Sequence, residues 1–265
     1  MEETVKKIYG AIATGEREGC CGPKSCDCAN TAISEKMGYT KEDLQALPED
    51  AVMGLGCGNP VALASLKKGE TVVDLGAGGG IDAFLASRIV GDSGKVIGID
   101  MTEAMIKRAR TNAKKGRFTN VEFKLGDIEE MPLEDGIADC VISNCVINLA
   151  QDKQNVFNEA FRILKQGGRL MVADMVLLRD LSEKIAKSAE MYAGCVAGAL
   201  KRDDYIAKIK KAGFKEISVI KEDPVRFLDY IGSDKVLGDL VKNMSDKELE
   251  EINSTVMSIK ISATK

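Results

Sequence analysis

Eight cysteines and no histidine bound the chemistry open to this chain of 265 residues. Four thiols, Cys20, Cys21, Cys26 and Cys28, crowd into the stretch EREGCCGPKSCDCAN, and four more, Cys57, Cys140, Cys145 and Cys195, are dispersed. The missing imidazole removes the usual general base near neutral pH, and the missing tryptophan removes the best cation cage. In a reducing compartment so many thiols are ligands or redox groups rather than structural staples. A soft, thiophilic ligand needs sulfur and gains nothing from imidazole. Adjacent cysteines followed by C-x-C do not match the C-x2-C pairs of structural zinc sites, although a zinc or iron–sulfur centre at the N-terminal cluster is a competing expectation.

The dispersed thiols differ in setting. Cys140 alternates with Val141 and Ile142 inside the strand-like run IADCVISN and reads as a small core residue. Cys145 follows Ser143 and Asn144 just past the end of that run. Cys195 sits in the small-residue segment MYAGCVAGAL. Cys57 lies in VMGLGCGNP, where Asn59 and Pro60 read as an N-cap and first helical residue. That placement, just before a helix N-terminus, predicts a favoured thiolate.

A second set of residues suits a nucleotide-like ligand. VVDLGAGGGIDAF follows a strand and opens a helix, so its glycine amides let the backbone approach a ligand closely. A nicotinamide dinucleotide fingerprint needs a third small residue where Ile81 stands. The pattern is instead Asp74, Gly76, Gly78, Gly80, and it resembles the first motif of the S-adenosylmethionine-dependent methyltransferases with a Rossmann-like fold. Asp100 closes the second strand, where a carboxylate can accept ribose hydroxyls, and Asp127 closes the third. By that resemblance Asp127 would lie near the adenine amino group, and Met101, Ile128 and Asn144 would join the cofactor contacts. VMGLGCGNP mimics the glycine motif but lacks the preceding strand and acid.

These residues need a scaffold of alternating strands and helices. Strand patterns at 70–78, 95–100, 121–127, 137–144 and 169–176 alternate with helical spacing at 81–91, 102–115 and 153–168. The expected fold is α/β: a Rossmann-like, class I methyltransferase architecture with a mainly parallel sheet. After a helix at RDDYIAKIKKAGF, the strands EISVIKE and VMSIKISATK could form an antiparallel edge, with a polar helix near 245–253 between them. Three parts are expected: an N-terminal helical, cysteine-containing extension (1–66), a cofactor-binding core (67–177), and a substrate-covering segment with the closing strands (178–265).

Composition narrows the partners. A net charge of −4 gives no bias toward polyanions. The basic run at 107–117 reads as a solvated helix face and lacks the aromatics that single-stranded nucleic acid would want. No apolar run approaches the about 20 residues of a membrane span. The charged N-terminus lacks the apolar core of a signal peptide, so a cytoplasmic protein that binds neither nucleic acid nor membrane is expected.

GLGCGNP, VISNCVINL and YAGCVAGAL together resemble the three cysteine segments of the arsenite methyltransferases. The likeness runs from VKKIYG through VAGALKRDDY, and SNCVINL is its most specific piece. It implies S-adenosylmethionine as cofactor, arsenite or methylarsenite as substrate, and Cys57, Cys145 and Cys195 as the arsenic ligands. It also implies a redox role for Cys21 or Cys20, with a disulfide reduced by an external thiol or a thioredoxin-like protein. This chain departs from the simpler family pattern by adding GPKSCDC after those two residues. The rival readings are a methyltransferase for a small organic substrate, with Asp, Glu or Tyr9 as base, and a non-catalytic arsenite or thiol sensor.

Overall fold

A computed structural model describes residues 2–15, 27–188, 191–192, 194–225, 227 and 244–265. Helical pieces come first: α1 (Glu2–Thr14), α2 (Asp27–Lys36), α3 (Lys41–Gln45), a 3-10 turn at Glu49–Ala51 and the single turn α4 (Pro60–Leu63). Then β1 (Thr71–Leu75), α5 (Ile81–Val90), β2 (Lys95–Asp100), α6 (Glu103–Gly116), β3 (Val121–Leu125) and β4 (Ala138–Asn144) alternate. A 3-10 turn at Ile147–Leu149 leads to α7 (Lys153–Ile163) and β5 (Leu164–Leu177). The chain closes with α8 (Glu183–Ala186), α9 (Arg202–Lys211), β6 (Lys215–Pro224), α10 (Asp246–Thr255) and β7 (Val256–Thr264).

Among the described residues, seven strands make one sheet in the order β3-β2-β1-β4-β5-β7-β6. The first five are parallel, and β7 runs antiparallel to both β5 and β6. The expected sheet and its antiparallel edge are both present. Parallel strands are covered on both faces, so β1 is buried from Val72 to Leu75 and its side chains divide between two cores. Val73 and Leu75 pack with Phe157, Ile163 and Tyr205 on the α7 and α9 side. Val72 packs with Phe84, Val90 and Phe123 on the α5 and α6 side.

The chain runs outward from β1 through β2 to β3, then returns to β4 on the other side of β1. This reversal opens a crevice at the carboxyl ends of β1 and β4, the place where open α/β sheets bind ligands. The basic run falls on α6, where it also ties down the N-terminal pieces. Arg108 donates to the carbonyls of Ala13 and Asp50, and Lys115 pairs with the Asp50 carboxylate.

Some boundaries differ from the sequence expectation. Helical spacing predicted α7 to run to Gly168, but it ends at Ile163. Leu164 is already extended and pairs with Ala138, and a bulge before the Cys140–Arg169 pair absorbs the residues between. Burial of Leu164 in the α7-side core holds it there. No described helix is long and apolar enough to cross a membrane.

Candidate active site

At the end of β1 the backbone makes its turn through left-handed glycines: Gly76 at φ +64°, Gly78 at +52° and Gly80 at +99°. A Cβ on Gly76 would stand 2.4 Å from Val146, so this strand end and the loop after β4 can touch only through glycine. The Asp100 carboxylate at the end of β2 accepts from the Gly78 N–H at 3.0 Å and from the Thr102 N–H at 2.8 Å. It therefore fixes the glycine turn as well as facing the crevice. Burial pushes Asp100 upward from its ordinary pKa, against those two N–H groups.

Asp74, Gly76, Gly78, Asp100, Met101, Asp127 and Ile128 all line one pocket. Among the sequence-predicted cofactor residues, Gly80 lies outside that lining and acts instead as the N-terminal cap position of α5. Asp127 sits two residues beyond β3, where it accepts from the Glu129 N–H and shapes the turn. Asp74 is buried, and its Oδ2 has no hydrogen-bonding partner among the described residues. Burial, then the charges of Asp82 and Asp100, push its carboxyl well above the usual carboxylate range. A buried carboxylate oxygen of this kind calls for a cationic donor. The amino group of S-adenosylmethionine is one, and the acids with the glycine backbone suit the rest of that cofactor.

The same pocket continues to Cys145 and Cys195, with Gly56, Met175 and Gly194, and Val5 and Tyr9 of α1, also in its lining, whereas Cys57 is not part of that lining. Cys145 touches both Cys57 and Cys195 through its thiol. Cys195 Sγ donates to the Cys145 carbonyl at 2.7 Å, and Cys57 Sγ donates to the Ala173 carbonyl at 3.6 Å. Three thiols separated by as many as 138 positions in the chain thus meet where β4 ends. The structure brings Cys57, Cys145 and Cys195 together in one cluster. Cys145 and Cys195 adopt φ +57° and +63°, a left-handed conformation that disfavours non-glycine residues. Strain of this sort persists where the surroundings enforce it, commonly at functional sites.

Cys57 is the exception to a sequence expectation. Asn59 does cap α4 through the Ala62 N–H, with Pro60 at the first helical position. Yet the thiolate is not favoured: burial pushes the Cys57 thiol up to about 11. A single helical turn has too little dipole to offset that desolvation. The Cys195 contact holds the Cys145 thiol down, but the Cys57 contact and burial together outweigh it and leave the thiol well above its ordinary value. Cys140 lies within β4, fully buried and raised to about 12 by burial, as a core residue should be.

Asn144, expected at the cofactor, lines the same pocket, and its polar atoms bind neighbouring protein groups. Its Oδ1 accepts from the Cys57 N–H at 3.0 Å, and its Nδ2 donates to Gly58 O, Tyr39 Oη and Asp82 Oδ2. Tyr39 completes the network by donating to Asp82 Oδ1 at 2.8 Å. A Cβ on Gly56 would meet Asn144 at 2.9 Å, so the loop carrying Cys57 lies directly on this amide. Ser258 of β7 holds the other side, donating to the Cys57 carbonyl.

Beneath the thiols lies a buried acid absent from the sequence expectations, Asp174. Its Oδ1 accepts from Asn148 Nδ2 and the Met175 N–H, and its Oδ2 accepts from Tyr205 Oη. Burial pushes its carboxyl up to about 7 against those donors. An aspartate inside the apolar run LMVADMV was the signal that could have found it. Cys20, Cys21 and Cys26 lie outside the described residues; Cys28 falls in α2.

A doubly wound sheet with a glycine turn after β1, acids closing the next strands and an antiparallel last strand defines the class I S-adenosylmethionine-dependent methyltransferases, and S-adenosylmethionine is the cofactor. A methyltransferase domain family matches residues 66–246. An arsenite methyltransferase of Halobacterium salinarum is 40% identical over 89% of this chain and 63% of its own length. One of Aquipseudomonas alcaligenes is 33% identical over 90% of this chain and 69% of its own. The crystal structure of an arsenic(III) S-adenosylmethionine methyltransferase from Chlamydomonas reinhardtii superposes with a TM-score of 0.67 at 29% identity, covering 89% of this chain and 73% of that one. The chain belongs to the arsenite methyltransferase family. It spans just under two thirds of the Halobacterium relative.

Proposed function

We propose that this chain transfers methyl groups from S-adenosylmethionine to trivalent arsenic held by Cys57, Cys145 and Cys195. The observation that carries this reading is the continuity of one pocket from the Asp74–Asp100–Asp127 rim to Cys145 and Cys195, with Cys57 in contact with Cys145. Three sulfurs suit trivalent arsenic, which they would hold as a pyramid with its lone pair free. The raised thiol pKa values do not oppose binding. Arsenous acid brings three hydroxyls, and each can leave as water with the proton of the thiol that replaces it.

S-adenosylmethionine, when bound, supplies an electrophilic methyl on a sulfonium. No proton leaves a lone-pair nucleophile, so a chain without histidine lacks nothing the transfer requires. The protein's work is alignment, which can lower a barrier by about 7–11 kcal/mol in favourable cases. Asn144 contributes by holding the Cys57 loop, and Asp100 by holding the glycine turn. Methylation formally oxidises arsenic by two electrons. Cys21 or Cys20 would return them by closing a disulfide with a ligand cysteine, which an external thiol or thioredoxin-like protein then reduces.

Serine variants test the ligand assignment. Cys145→Ser and Cys195→Ser should each lose arsenite retention and methylation while still binding S-adenosylmethionine. Wild-type methylation by Cys145→Ser would refute it.

A further inference from the structure

Three thiols suffice for trivalent arsenic, yet a carboxylate is buried against them. A carboxylate oxygen of Asp174 and the sulfurs of Cys57 and Cys145 all lie within 4.8 Å of one another, and all three residues are buried. Cys195 adjoins this group through its contact with Cys145. Asp174 is also held by hydrogen bonds from neighbouring groups, as metal-binding carboxylates are. Asn148 and the Met175 N–H fix Oδ1, while Oδ2 accepts from Tyr205 and keeps its second lone pair.

We propose that Cys57, Cys145, Asp174 and Cys195 form a four-coordinate site for a thiophilic divalent cation, zinc or cadmium, which competes with arsenic for the same thiols. The inference rests on the same cysteines as the arsenic reading but adds a ligand that reading does not use. Trivalent arsenic carries a lone pair and is satisfied by three sulfurs. A d10 cation has no such lone pair and takes four ligands in a tetrahedron, three sulfurs and one oxygen here. Ligand atoms in such a site stand about 3.5–3.8 Å apart, so rotations of the side chains would draw the present group together. Each thiol that binds releases its proton to solvent, and no electrons are exchanged. Asp174 therefore separates the two ligands: the cation needs it and arsenic does not.

The test uses the full chain, reduced, with Cys20, Cys21, Cys26 and Cys28 replaced by serine so that the N-terminal thiols contribute no signal. Cadmium chloride alone is titrated while the sulfur-to-cadmium charge-transfer absorbance is followed, and arsenite retention is measured separately. One cadmium per chain is expected, with Asp174→Asn weakening its affinity by about tenfold or more and leaving arsenite retention unchanged. Tyr205→Phe, a milder change, should weaken cadmium in the same direction. Equal cadmium affinity in Asp174→Asn, or no cadmium bound by the parent, would overturn the proposal. Parallel loss of cadmium and arsenite in both variants would also overturn it, because Asp174 would then be scaffold alone. Cadmium binding that depends on Asp174 in a chain that retains no arsenite would uphold the cation site and defeat the arsenic reading instead.

Discussion

Cys145 shows how one residue can carry both position and strain. Its N–H continues the β4–β5 pairing by donating to Ala173 O, while its φ of +57° takes the chain out of the strand. Cys140, five residues earlier, has an ordinary place in the same strand and no access to the pocket. Cys140→Ser should keep methylation but lower stability by about 1–3 kcal/mol in chemical denaturation, since a hydroxyl is buried where a thiol packed. A loss of activity without loss of stability would contradict that assignment. The buried acids predict a pH effect of definite sign. Burial raises Asp174 to about 7 and Asp82 to about 6, so the folded chain holds protons that the unfolded chain has already released. Their contribution to stability is complete below the ordinary carboxylate pKa and is lost as pH rises through about 6 and 7. The unfolding free energy from denaturant titrations should fall between pH 5 and pH 8 by about 4 kcal/mol, and Asp174→Asn should flatten the trend. An unchanged slope in that variant would count against a buried, proton-holding Asp174. Surface acids held low by partners, such as Glu159 beside Arg162, act below this window.

At the scale of elements, much was readable because each signal was local. The apolar runs of β1, β2 and β4, the glycines after β1 and the Asn59–Pro60 cap each depend on a few neighbouring residues. The end of α7 was not readable, because Leu164 leaves the helix to pair with Ala138, a partner remote in sequence. The Cys57 thiol was misread for a similar reason. The cap beside it is local, whereas the burial that governs its proton comes from β5, β7 and the loop after β4. Asp100 belongs to this scale as well, since it joins β2 to the glycine turn and to the start of α6. Asp100→Ala should weaken S-adenosylmethionine binding by about tenfold, from the lost charge-assisted hydrogen bonds to the glycine turn and to the start of α6, and leave arsenite retention intact. Equal loss of both ligands would contradict the separation of the two ends of the pocket.

The whole molecule gathers its chemistry by topology. The reversal between β1 and β4 puts the cofactor rim and Cys145 on adjacent strand ends. The N-terminal pieces deliver Cys57 from one direction, and the segment after β5 delivers Cys195 from the other. None of these meetings is visible as a pattern in the residues themselves; the cysteine segments were legible only through their resemblance to a family. The central claim is transfer to arsenic, and it is tested most directly by incubating the reduced chain with arsenite, excess thiol and methyl-labelled S-adenosylmethionine, then resolving arsenic species by chromatography. Labelled methylarsenicals that form with the wild type and disappear with Cys145→Ser are the predicted result. Bound S-adenosylmethionine with no labelled arsenic product would contradict the account and return the pocket to an organic substrate.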